Sequence, residues 1–115
     1  MQRSKPGEAR GHRRVSYMTP LRIEFADGRT VDGQCQDISE GGLFVVTKAE
    51  CSLNKPVKVR LPLPVGGKVV VIEATTRWSD ERLDGRGIGL ELRNPPKDVK
   101  DSIRKYVELM AAHER

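Results

Sequence analysis

Aromatic residues make up only 4% of this chain: one Trp, two Tyr and two Phe in 115 residues. Nucleic-acid-binding barrels stack bases on several exposed aromatics along a groove. With Phe25 and Phe44 read as internal, too few remain to favour that function, although a sequence pI near 9.5 keeps it as a minor alternative. Cysteine is as scarce. Cys35 and Cys51 have no CxxC spacing and no histidine close by, so a metal site is unsupported and the thiols are expected to be free or buried. The two histidines, His12 and His113, lie near the ends, and the chain has no GxSxG elbow, Walker loop or HExxH helix. The expectation is a protein that is not an enzyme and holds no metal and no cofactor. Long hydrophobic runs are missing too. No segment approaches a membrane span, and the start Met1-Gln2-Arg3-Ser4-Lys5-Pro6 lacks a signal-peptide core, which points to a cytoplasmic protein.

What the chain does have is basic charge, unevenly placed. Residues 1–14 carry Arg3, Lys5, Arg10, Arg13 and Arg14 against Glu8, a net +4 of the chain's +5, whereas residues 15–96 hold eleven side chains of each sign. Such a leader has too little apolar surface to fold alone and is expected to be mobile until an anion holds it. Guanidinium groups suit phosphate, which they bond bidentately, and flat bases, on which they stack. A chain of 115 residues is long enough for one core but not two.

Val, Ile and Thr in short runs broken by Gly and Pro favour an all-β barrel or sandwich over a helical bundle. Val15 to Phe25 starts irregularly at Thr19-Pro20, then alternates Leu21, Ile23 and Phe25 inward with Arg22 and Glu24 outward. An Asp27-Gly28 turn leads into Thr30 to Gln36, with Val31 and Cys35 inward. Further strands are expected over Leu43 to Thr47, Pro56 to Leu63, Lys68 to Trp78 and Gly87 to Leu92, with Ser79 to Arg86 as a charged loop. Asn94-Pro95-Pro96 ends the strands and starts a helix over Lys97 to His113. Its apolar stripe of Val99, Ile103, Tyr106, Val107 and Met110 either plugs one end of the β-structure or offers a partner or homodimer surface, so monomer and homodimer stay open.

Between the second and third strands lies Asp37-Ile38-Ser39-Glu40-Gly41-Gly42. The period of a strand sends Asp37 and Ser39 one way and Ile38 into the core. The two glycines are expected to allow positive φ and close approach of a ligand. The plain alternative is a capped hairpin turn, since Asp, Ser and Gly are the usual turn formers.

Arg10-x-x-x-Arg14 followed by Asp37-x-Ser39-x-x-Gly42 resembles the signature of the PilZ family, bacterial receptor domains for the second messenger cyclic di-GMP. The resemblance extends over about the whole chain through the basic leader, the Pro-Leu-Arg-Ile strand, the strand reaching Trp78, the Gly87-x-Gly89 strand and the terminal helix. It implies a mainly β fold: a six-stranded antiparallel β-barrel of the split-barrel type over 15–94, preceded by the flexible leader 1–14 and closed by a C-terminal α-helix over 95–115. It also implies that Arg10 and Arg14 bond or stack on guanine and phosphate, that Asp37 and Ser39 bond guanine edges or anchor the arginines, and that Gly42 leaves room. Trp78 then lies against a base or packs in the core, with Arg13 and Gly41 as further site residues. The implied function is reception of cyclic di-GMP and transmission to an unidentified protein partner, with outputs of the motility, polarity, biofilm or exopolysaccharide type. Some members of the family act instead as adaptors without ligand.

Overall fold

The computed structural model describes residues 13–82 and 85–113. Six strands, β1 (Val15–Phe25), β2 (Thr30–Ile38), β3 (Gly42–Thr47), β4 (Pro56–Pro62), β5 (Val69–Arg82) and β6 (Gly85–Leu92), precede one helix, α1 (Lys97–His113). The strands close an antiparallel barrel in the order β1-β2-β3-β6-β5-β4. Alternation along β1 and β4 sends Leu21, Ile23, Val57, Val59 and Leu61 inward and leaves Arg22, Glu24, Lys58 and Arg60 outside. The Asp27-Gly28 turn forms as its chemistry dictates: Gly28 takes φ 90°, and the Arg29 amide donates to Asp27 Oδ1 at 2.9 Å.

The stretch Ser79 to Arg86 is not a loop. β5 runs on to Arg82 and β6 starts at Gly85, paired from Ser79↔Ile88 to Arg82↔Gly85. Opposed charges flank this ribbon: Glu81 faces Arg86 across it with an N–O separation of 3.7 Å, and Arg86 also reaches Glu50 at 3.2 Å. Opposite charges directly across a strand pair favour a ladder, so a run of charges is compatible with strand.

Helix α1 packs on its own barrel. Val99, Ile103 and Val107 join Val15, Leu21, Ile38, Leu43, Leu61 and Leu92 in one core cluster, so the helix closes the barrel end as a plug. Hydrogen bonds fix its placement: Tyr106 Oη donates to the Ser16 carbonyl at 2.7 Å, and Ser102 Oγ both donates to the Val65 carbonyl and accepts from its amide. Tyr17 meets Tyr106 edge-on, with ring centres 5.3 Å apart. Among the described residues, no helix is long and apolar enough to cross a membrane. Both cysteines are free thiols; burial pushes Cys35 up to about 12, with the Asp37 charge adding to it, so it packs as a neutral apolar side chain.

Thr76 is the fully buried polar residue that ties the Ser52–Lys55 loop to β5. Its Oγ1 donates to the Ser52 carbonyl at 2.6 Å and accepts from the Lys55 amide at 3.1 Å. Thr76→Val keeps the shape but strands both groups, so the urea midpoint should fall by the equivalent of about 1–3 kcal/mol with the slope unchanged. An unchanged midpoint would show that water reaches both groups.

Candidate functional site

Two interruptions of the ladder decide which side chains face outward beside the Asp37–Gly42 elbow. Strict alternation from the inward Cys35 would bury Asp37 and expose Ile38. Against β3, however, Cys35 pairs with Val45 and Asp37 with Phe44, which leaves Gln36 as an extra residue. This bulge resets the parity, so Ile38 is buried while Gln36 and Asp37 come to the outside side by side. β5 does the same one residue before Trp78. Thr76 pairs with Leu90 and Trp78 with Gly89, leaving Arg77 extra, and the indole turns outward.

One row of cross-strand partners results, running Ser16–Asp37–Phe44–Gly89–Trp78 over β1, β2, β3, β6 and β5. Phe44 was expected inside the barrel. It is buried, but outside the core cluster, because the Trp78 ring lies over it at 5.2 Å and 14°. Gly89 makes this stacking possible, since a Cβ there would stand 2.0 Å from Trp78 Nε1. Gly89→Ala should therefore lift the indole off Phe44. As the obstructing group is a side chain able to swing away, the expected signature is a red-shifted emission of the single tryptophan with only a modest loss of stability. An unshifted spectrum would mean that the ring stays in place.

At the other end of the row the Arg14 Nη1 donates to Asp37 Oδ1 in a part-buried ion pair. Asp37 thereby aims the guanidinium, a fixed planar fork of N–H donors. The pair forms one wall of an open groove of about 470 Å³, also lined by Val15, Ser16, Met18, Gln36 and Phe44. Arg13, exposed, stands next to it.

The rest of the elbow behaves differently from the expectation. Ser39 does not share a rim with Asp37: it is 0% exposed, and its Oγ accepts from the amides of Gly41 and Gly42, each at 3.2 Å. Its hydroxyl thus shapes the turn, as the capped-turn alternative had it. Neither Gly41 nor Gly42 is among the glycines with positive φ. Gly42 is required for another reason, the approach of β3 to β6, where a Cβ would lie 2.4 Å from the Leu90 carbonyl oxygen. The structure therefore brings together Arg14, Asp37 and, through Phe44, Trp78; Ser39, Gly41 and Gly42 support them from beneath. Arg10 and the leader up to residue 12 lie outside the described residues. Sequence reasoning missed Ser16, Met18, Gln36 and Phe44 in the groove, and the one available signal was Gly89, a glycine opposite a lone tryptophan.

The family model described as PilZ domain matches residues 8–109. A curated relative, the UDP-forming cellulose synthase catalytic subunit of Pseudomonas fluorescens (strain SBW25), is 32% identical over 76 residues, which is 66% of this chain and 10% of that protein. Among solved structures, the Bacillus subtilis inhibitor of motility MotI/DgrA has a TM-score of 0.79 at 18% identity, covering 94% of this chain and 53% of that one. The PilZ domain of Escherichia coli YcgR, solved with c-di-GMP, has a TM-score of 0.73 at 17% identity, covering 94% and 95%. The chain thus spans a tenth of the curated relative and about half of the MotI/DgrA chain.

Proposed function

The chain belongs to the PilZ domain family, and from that premise we propose that it is a cytoplasmic receptor that binds cyclic di-GMP in the Arg14–Asp37 groove and passes the signal to a partner protein. The observation that carries this reading is the outward row with its ion pair: a clamped guanidinium at one end, a stacked aromatic pair at the other and an open groove at the guanidinium end. Cyclic di-GMP presents two phosphates and two guanines, and these are the surfaces such a row accommodates. Arg14 takes phosphate oxygen or stacks on guanine while Asp37 holds it. Arg10, four residues earlier, adds a second guanidinium from the leader, and Arg13 adds charge. Trp78, backed by the buried Phe44 ring, offers a flat apolar surface for a base. Ser39, Gly41 and Gly42 keep the elbow in the shape that presents Asp37.

The YcgR domain of the same fold is solved with c-di-GMP, which supports the choice of ligand. The chain acts by binding alone, with the dinucleotide as ligand rather than cofactor, and its output lies in the protein it contacts. Calorimetric titration with cyclic di-GMP tests this directly: saturable binding is expected, and no heat at millimolar ligand would leave the adaptor reading in its place.

A further inference from the structure

We propose that Gln36 anchors a base in this groove, its side-chain carboxamide bonding the edge of one guanine while Met18 supports the ring. This rests on cyclic di-GMP being the ligand. Gln36 is the residue with no partner in the β2–β3 ladder, and none in the β1–β2 ladder either, where Ser16 pairs with Asp37 and Thr19 with Cys35. The bulge sets it on the outer face next to Asp37, where it lines the groove. Its amide makes no side-chain hydrogen bond among the described residues, so its donor and acceptor remain available to a ligand.

A neutral carboxamide suits a base better than a phosphate. Gln36 has no charge with which to hold a phosphate, whereas Arg14 in the same groove does. Guanine carries O6 as acceptor beside N1–H as donor, which match the NH2 and C=O of one carboxamide in a two-bond contact. Met18 supplies the flat contact. It is 59% exposed, a large apolar side chain on the same groove wall, and thioethers pack well against aromatic rings. A carboxamide can turn over to suit adenine as well, so Gln36 anchors a base and leaves the choice of base to its neighbours.

The test combines Gln36→Leu with NMR of the side-chain amides of the full chain. Gln36→Leu should bind cyclic di-GMP on the order of tenfold more weakly, with an unchanged melting temperature. The amide proton pair of wild-type Gln36, assigned by its loss in the variant, should shift at saturation. If Gln36→Leu binds as wild type does, or the amide pair does not move at saturation, Gln36 serves only the bulge and the inference falls. Weakened binding by Arg14→Ala in the same series would then show that the receptor reading itself stands. If wild type takes up no cyclic di-GMP at all, the receptor reading falls and this inference with it.

Discussion

Replacing Arg14 with alanine is expected to weaken cyclic di-GMP binding about a hundredfold while the barrel stays folded. The fork of a guanidinium makes two charge-assisted contacts to a phosphate, or one contact plus a stack. Such a contact is worth about 1.5–3 kcal/mol, and a total near 3 kcal/mol corresponds to roughly two orders of magnitude in Kd. The stability lost should lie between the roughly 1 kcal/mol of an exposed ion pair and the roughly 3–5 kcal/mol of breaking a buried one, because the two side chains keep only 18% and 28% of their exposure. Calorimetry on Arg14→Ala, with its thermal unfolding as control, decides the matter, and an unchanged Kd would remove the clamp from the proposal.

Asp37 gives that prediction a second arm. Its carboxylate repels a dianionic ligand but holds Arg14 in place, so Asp37→Ala loses the positioning and gains relief from repulsion. The net effect should be a smaller loss than for Arg14→Ala, about tenfold. Because Asp37 works through Arg14, the two substitutions should not add, and the double variant should bind about as weakly as Arg14→Ala alone. Additive losses would mean that Asp37 touches the ligand itself.

Why the sequence reveals the barrel better than the site follows from where alternation holds. Leu21, Ile23 and Phe25 against Arg22 and Glu24, or Val57, Val59 and Leu61 against Lys58 and Arg60, carry their facing in their residue types. The stripe on α1 does so at helical period, and the Asp27-Gly28 turn through its chemistry. The site depends on the two residues that break the alternation, Gln36 and Arg77. Neither is a Gly or Pro, and a bulge made by an ordinary residue leaves no compositional trace. Phe44 is hidden differently: it lies in Leu43-Phe44-Val45-Val46, where four apolar residues in a row give no parity to read. Ser39 and Gly42 were visible as a motif, but a motif does not say whether its residues face a ligand or their own backbone. At Ser39 the buried hydroxyl on two amides gives the second answer.

Gly42→Ala should distinguish these roles most sharply, and its expected effect is on folding. The missing Cβ points at the backbone of β6, 2.4 Å from the Leu90 carbonyl oxygen and 3.7 Å from the Cα of Glu91. That backbone cannot easily give way, because β6 is paired with β3 on one side and with β5 on the other, Leu90 facing both Leu43 and Thr76. Relief has to come from opening the β3–β6 ladder at its first rung, next to the elbow, where the Leu92 amide also donates to the Gly41 carbonyl. Overpacking against a fixed neighbour costs about 1–3 kcal/mol, and a backbone contact this close belongs at the upper end. For a domain of this size that is a fall in Tm of about 10 °C, a large part of a total stability of about 5–15 kcal/mol. Ligand affinity, measured well below the new Tm, should fall far less than it does in Arg14→Ala. A variant with native Tm and no binding would reverse the assignment and make Gly42 a point of ligand approach, whereas a lowered Tm with binding retained fixes it as the hinge on which the elbow is built.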